Sequence, residues 1–138
     1  MAYEYLEHEA DIGILAMGKT REQAFEEGAK AMFNVMVDVE KVEPKKKVEV
    51  SAASDQLDTL FVEWLNALLA EKDLKSMAFS EFKVTIEEGE NFRLKAEAWG
   101  DELKSEQNYK TEVKAATYSG LKYKQVFDEH HLQCVLDI

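Results

Sequence analysis

The strongest constraint on the fold of this 138-residue chain is a wide apolar stripe between residues 57 and 69. Its large side chains recur at the three- and four-residue spacing that marks one face of an α-helix. They are Leu57, Leu60, Phe61, Trp64, Leu65, Leu68 and Leu69. We expect this stripe to cover one face of a β-sheet, because so wide an apolar surface must be buried. Ser54 or Asp55 is predicted to cap the helix, and Lys72 is near its expected end.

A second amphipathic helix is predicted from Arg21 to Val37. Thr20 and Gln23 have the spacing of a capping box, in which each side chain binds the backbone at the other position. Apolar residues follow at helical spacing and are expected to face the core. These residues are Phe25, Ala29, Met32, Phe33 and Met36.

Most of the remaining chain alternates between apolar and polar residues, which is typical of β-strands. The predicted strands cover residues 12–17, 47–52, 82–86, 92–98, 109–118, 121–127 and 132–138, with turns at 88–91, 119–120 and 128–131. Short links of this kind favour hairpins and antiparallel pairing. We therefore predict a single domain (1–138) of the α+β class, with a mainly antiparallel sheet and two amphipathic helices packed on it.

Charge and composition exclude several classes of protein. The net charge of −11 argues against direct nucleic-acid binding, which normally depends on lysine and arginine contacts to phosphates. The apolar runs are shorter than the roughly 18 residues of a membrane span, and we see no signal peptide, so a cytoplasmic protein is expected. The single cysteine, Cys134, is expected to be a buried packing residue.

Oxygen ligands near the two ends of the chain suggest a metal site. Asp11 precedes a predicted strand, while Asp137 and the free carboxylate of Ile138 end another. Hard cations such as Ca²⁺ and Mg²⁺ prefer carboxylate and carbonyl oxygens. The alternative is an ordinary turn aspartate and a frayed strand end. His8 could orient a metal-binding carboxylate, or it could be a surface histidine.

A second candidate is the stretch from Thr111 to Tyr118. Here Glu112, Lys114 and Tyr118 are predicted to share one strand face with Ala116, where small side chains would leave room for another molecule. This pattern favours either a partner-facing lysine or an exposed ion pair of little energetic value.

Four segments in this order resemble the archease family. They are His8-x-Ala10-Asp11-Ile12-Gly13 with the helix after Gly18, Leu60-x-x-Glu63-Trp64-Leu65-Asn66, Glu112-Val113-Lys114-Ala115-x-Thr117-Tyr118, and the closing Asp137-Ile138. The resemblance implies a non-enzymatic protein cofactor of the GTP-dependent RNA-splicing ligase in tRNA splicing. Such a cofactor promotes guanylylation and multiple turnover of the ligase, which itself handles GTP.

The resemblance also implies residue roles. The family's metal ligands correspond to Asp11, Asp137 and Ile138, which would bind a divalent cation, calcium in the family, with magnesium as an alternative. Lys114, Glu112, Tyr118 and His8 become candidates for a surface that faces the ligase. Two other functions stay open, namely a passive metal-stabilised chaperone or scaffold and a small metal-dependent phosphoesterase.

The chain departs from the family pattern at three positions. Gln107 and Ser119 stand where many relatives carry histidine, and Glu9 stands where threonine is common. These differences leave the implied metal ligands intact. They argue against a mechanism that requires histidine at position 107 or 119.

Overall fold

The computed structural model describes residues 2–6, 11–103 and 110–138. Along the chain the elements are β1 (Ala2–Leu6), β2 (Ile12–Gly18), α1 (Arg21–Met36), a short 3₁₀ helix (Val39–Lys41), β3 (Lys46–Ser54), α2 (Leu57–Lys75), β4 (Met77–Glu88), β5 (Phe92–Glu102), β6 (Ala115–Val126) and β7 (Glu129–Asp137). The predicted α+β class is confirmed. Within the described residues, neither helix combines the length and apolar character that a membrane crossing requires.

The described strands form two antiparallel sheets. The first sheet has the order β1-β2-β7-β6, and the second has the order β3-β5-β4. The sequence patterns did not separate the strands into two sheets, because alternation identifies a strand and not its partner. In the first sheet, β7 comes last along the chain and yet lies between β2 and β6.

The two helices begin differently. In α1 the Thr20 hydroxyl accepts a hydrogen bond from the Gln23 N–H at 3.1 Å, and Gln23 Oε1 accepts one from the Thr20 N–H at 3.3 Å, so the predicted capping box is confirmed. In α2 the N-cap is Gln56, which makes no side-chain capping bond, so the prediction that Ser54 or Asp55 caps this helix was wrong. Ser54 is instead the last residue of β3.

The core lies between the helices and the sheets. Phe25 and Phe61 meet edge to face across the two helices, with ring centroids 5.3 Å apart. The indole N–H of the fully buried Trp64 donates a hydrogen bond to the Phe25 carbonyl oxygen at 3.0 Å. A Cβ atom at position 28 would collide with the Phe61 ring, so Gly28 allows this close helix contact. Cys134 is fully buried, as predicted.

The hairpin of β6 and β7 differs from the prediction at two places. Ser119 and Gly120 lie inside β6, where pairing with β7 jumps from Thr117↔Val135 to Lys122↔Gln133, so residues 118–121 form a bulge and not a turn. His130 and His131 were predicted to lie in a turn, but both are paired, partly exposed residues of β7. The turn between the strands is formed by residues 127–128.

Candidate metal centre and partner-facing surface

One end of the first sheet brings together residues from opposite ends of the sequence. β2 and β7 run antiparallel, and their ladder ends with the pair Ile12↔Leu136. Asp11 directly precedes Ile12, and Asp137 directly follows Leu136. The two aspartates therefore flank the last pair of neighbouring strands at the same end of the sheet.

The residues after Leu136 are held by main-chain and side-chain contacts. The carbonyl oxygen of Asp137 accepts a hydrogen bond from the Lys114 N–H at 2.7 Å, while the Asp137 side chain is exposed. Ile138 is partly buried, and its side chain packs against the hydrophobic core. These contacts fix the main chain of both residues beside the start of β6.

The segment before β6 carries Lys114 to this end of the sheet. Its first described residue, Lys110, donates a backbone hydrogen bond to the carbonyl oxygen of Met36 at 2.6 Å. Val113 is buried at 4% exposure, whereas Glu112 and Lys114 on either side of it are exposed. The Lys114 ammonium group makes no salt bridge with any described residue.

The predicted common face of Glu112, Lys114, Ala116 and Tyr118 was wrong. The paired strand begins at Ala115, and Ala116 is buried at 4% exposure while the other three side chains are exposed. Ala116 pairs with Leu136 and belongs to the core, so it leaves no open space beside Lys114.

Tyr118 contacts a helix that the sequence did not connect with it. Its hydroxyl donates a hydrogen bond to Glu63 Oε1 of α2 at 2.8 Å, and its side chain is 56% exposed. This hydrogen bond to the Glu63 carboxylate raises the pKa of Tyr118, because it favours the protonated phenol. One turn further along α2, Asn66 makes two hydrogen bonds with the backbone of Ala116.

Sequence reasoning missed Glu63 and Asn66 as partners of the site. Both stand beside the apolar stripe of α2, where polar residues normally face solvent. Only the folded chain brings them to β6. The one sequence signal was their presence in a segment that resembles the archease family.

The remaining residues singled out in the sequence are His8, Glu9, Gln107 and Ser119. His8, Glu9 and Gln107 lie outside the described residues. Ser119 is exposed in the β6 bulge, and its N–H donates a hydrogen bond to the Thr117 hydroxyl at 3.3 Å.

The oxygen atoms at this end of the sheet are of the chemical kind that hard cations prefer. Asp11 and Asp137 supply carboxylate oxygens, and the neighbouring main chain of Ile138 supplies further oxygen atoms. No three His, Cys, Asp or Glu side chains among the described residues come close enough together to hold a metal. A cation at this end would therefore need the main-chain oxygens of Ile138 in addition to the two aspartates.

Comparison with known proteins identifies the family of this chain. The model of the archease protein family matches residues 3–138. The chain belongs to the archease family. The resemblance read from the four sequence segments is thereby confirmed.

Individual archeases support the assignment over nearly the whole chain. The protein archease of Thermococcus kodakarensis is 43% identical over 128 residues, which are 91% of this chain and 90% of the relative. The solution structure of a Methanobacterium thermoautotrophicum protein has a TM-score of 0.89 and 32% identity, covering 99% of this chain and 98% of the other.

A more distant archease supports the fold. The crystal structure of the Thermotoga maritima protein, described as a possible chaperone, has a TM-score of 0.63. It is 21% identical and covers 96% of this chain and 94% of its own. Of the names of these proteins, only that of the Thermotoga maritima archease mentions a role, that of a possible chaperone.

Proposed function

We propose that this archease is a non-enzymatic protein cofactor of a GTP-dependent RNA-splicing ligase in tRNA splicing. It promotes guanylylation of the ligase and repeated turnover, and the ligase itself binds GTP and RNA. The observation that carries the proposal is the meeting of Asp11, Asp137 and Lys114 at one end of the first sheet. Two carboxylates and a lysine that makes no salt bridge with any described residue would together present a charged surface to a partner's active site.

In this proposal the two aspartates and the main-chain oxygens of Ile138 hold a divalent cation, calcium or alternatively magnesium. When bound, such a cation would offset the negative charge of the two carboxylates and would supply coordination positions for phosphate oxygens of a nucleotide. The chain's own residues orient this surface. The Lys114 N–H fixes the carbonyl oxygen of Asp137, and Ile138 anchors the strand end in the core.

The overall charge suits this partner. An enzyme that holds RNA needs a basic cleft, and a protein with a net charge of −11 would be steered toward it. The same negative charge disfavours direct binding of RNA by the archease itself. The exposed Lys114 and Tyr118 would then supply the local contacts after encounter.

The proposal is tested with purified ligase under multiple-turnover conditions. We expect Asp11→Asn, Asp137→Asn and Lys114→Gln each to remove most of the stimulation by the wild-type archease. Asp128→Asn is the matched control, because Asp128 is an exposed aspartate in the turn at the opposite end of β7. Calcium binding, measured by equilibrium dialysis, should fall for the first two variants and not for the control.

Two results would contradict the proposal. One is full stimulation by both aspartate variants, with circular dichroism spectra and unfolding midpoints like those of the wild type. The other is no effect of wild-type archease on a competent ligase.

A passive chaperone or scaffold with a structural cation is the second candidate. It is favoured by the way Ile138 packs on the core, since a cation beside it would also tie β7 to β2. In that case chelation would lower the unfolding midpoint but leave ligase stimulation unchanged. If stimulation and metal content fall together, the cofactor role is supported instead.

A further inference from the structure

Asn66 of α2 binds β6 in the way a neighbouring strand would. Its Nδ2 donates a hydrogen bond to the Ala116 carbonyl oxygen at 3.0 Å, and its Oδ1 accepts one from the Ala116 N–H at 2.8 Å. Among the described strands β6 is at the edge of the first sheet, so no described strand pairs with its outward backbone groups. One amide side chain thus satisfies both backbone groups of Ala116, a residue that is only 4% exposed.

Glu63 makes a parallel contact one helical turn earlier. Its Oε1 accepts the hydrogen bond from the Tyr118 hydroxyl at 2.8 Å. Positions 63 and 66 are three residues apart on a helix, and positions 116 and 118 are two residues apart on a strand. Helix and strand advance about 4.5 and 6.6 Å over these intervals, so the two contacts lie side by side. We call the Asn66–Ala116 and Glu63–Tyr118 bonds together the α2 clamp.

The two contacts of the clamp, one made by Asn66 and one by Glu63, differ in what they can contribute to folding. The Asn66 bonds satisfy buried backbone groups, and their loss leaves those groups unpaired. The Glu63–Tyr118 bond joins two exposed side chains, which normally adds little to stability. It does, however, restrict the rotamer of an exposed aromatic ring two residues beyond Ala116. Restricting a side chain before binding reduces the entropy lost on association.

We infer that Glu63 and Asn66 are positioning residues of the partner-facing surface. Asn66 fixes the start of β6 and with it the backbone of Lys114, which in turn bonds Asp137. Glu63 holds the Tyr118 ring as a preorganised aromatic anchor on the strand that follows Lys114. Aromatic side chains of this kind often carry a large share of binding energy at protein interfaces. The inference rests on the proposed function, because it takes the RNA-splicing ligase as the partner.

The role of Glu63 is tested by the affinity of purified ligase for archease variants, measured by calorimetry. Glu63→Leu and Tyr118→Phe should each weaken binding about 2- to 10-fold, the range expected for one net hydrogen bond. The double variant should be no weaker than either single variant, because both changes break the same bond. Glu63→Gln keeps an acceptor and should bind like the wild type.

A matched control is available on the same strand. Tyr123→Phe also removes a hydroxyl group, but that hydroxyl contacts His130 Nδ1 at 2.6 Å and not α2. The affinity of the Tyr123→Phe variant for the ligase should equal that of the wild type. Unfolding midpoints of the Glu63 and Tyr118 variants should stay near the wild-type value, so lost affinity cannot be attributed to misfolding.

The Asn66 arm is tested by amide hydrogen exchange, which does not depend on the ligase. In Asn66→Leu the Ala116 and Lys114 amides should exchange faster, while amides of β5 in the second sheet should keep their protection. Unchanged exchange at Ala116 and Lys114 would overturn the role of Asn66.

The outcomes separate this inference from the function on which it rests. If wild-type archease does not bind or stimulate the ligase, the proposed function fails. If the wild type binds while Glu63→Leu and Tyr118→Phe bind equally well, the function stands and the clamp has no part in docking. Additive losses in the double variant would also refute the clamp, since they would mean that the two residues act separately.

Discussion

Glu26 of α1 accepts a hydrogen bond from the backbone N–H of Val84 at 2.9 Å. Val84 lies in β4, an edge strand of the second sheet, so none of the strands that the structure describes pairs with this N–H. The contact mirrors the one between Asn66 and Ala116 in the first sheet. Each helix thus covers the edge of one sheet with a polar side chain, which leaves that stretch of edge unavailable for pairing with another chain.

We expect Glu26→Ala to lower the free energy of unfolding by about 1–3 kcal/mol, because it leaves the Val84 N–H without its acceptor. Glu26→Gln keeps an acceptor oxygen and should cost much less. Urea unfolding of the two variants at neutral pH checks this. Equal losses for alanine and glutamine would mean that the hydrogen bond is not what Glu26 contributes.

The same residue should make stability depend on pH. Burial raises the pKa of the Glu26 carboxyl, against the smaller opposing effect of the Val84 hydrogen bond. The folded state therefore holds this proton more tightly than the unfolded chain does. That contribution favours folding at low pH and is lost as the pH rises through the ordinary value of 4.5 and then the raised pKa. The stability of Glu26→Gln relative to the wild type should accordingly increase over this interval, as measured by thermal unfolding at a series of pH values.

Gly100 of β5 is predicted to tolerate no side chain. A Cβ atom there would run into the backbone carbonyl of Ala78 in β4, and a backbone obstacle cannot rotate away. We expect Gly100→Ala to destabilise the protein by about 1–3 kcal/mol, the usual range for overpacking. Gly89→Ala is the control, because its Cβ would lie 3.9 Å from the nearest atom, the Asn91 carbonyl oxygen. Similar urea midpoints for both variants would refute the prediction.

Cys134 should be unreactive in the folded protein. The thiol is buried, and burial raises its pKa to about 12, so almost no thiolate is present at neutral pH. A thiol reagent at pH 8 should react slowly with the native protein and rapidly after denaturation. Rapid labelling of the native state, at a rate independent of added denaturant, would contradict this.

The turn between β6 and β7 contains an unfavourable residue. Phe127 has φ +57° and is fully exposed, so it bears left-handed strain without any packing in return. Phe127→Gly should raise the free energy of unfolding by up to about 1 kcal/mol, as relief of ~1–2 kcal/mol of strain exceeds the entropic cost of glycine. Phe127→Ala removes the ring but keeps the strain, so its thermal unfolding midpoint should stay close to that of the wild type. A gain of equal size in both variants would show that the exposed ring, and not the backbone, is unfavourable.

The sequence predicted the elements better than their ends. α1 was predicted almost to the residue, because the Thr20–Gln23 capping box is a local signal, and the helix ends at Met36 instead of Val37. α2 continues three residues past its predicted end at Lys72. Lys72 is buried within the helix, and the left-handed residue that caps the end of the helix is Ser76. A buried lysine cannot be recognised from its neighbours in sequence.

The sequence supplied the candidate residues of the site but not the contacts that they make. Asp11, Asp137 and Lys114 were chosen from residue type and family resemblance, and their roles remain predictions. What the sequence could not provide is the pairing of β2 with β7, the four-residue bulge of β6, or the reach of α2 to Ala116 and Tyr118. Each depends on contacts between residues more than ten positions apart, which local patterns do not encode.

The central place of β7 in the first sheet has a consequence for the newly made protein. β2 and β6 can join into one sheet only after β7, which follows both of them along the chain, has been synthesised and has inserted between them. Until then Asp11 and Lys114 belong to separate parts of an unfinished molecule. Nascent chains therefore cannot present the charged end of the sheet, and pairing over such long sequence distances should make its completion a late, slow event in folding.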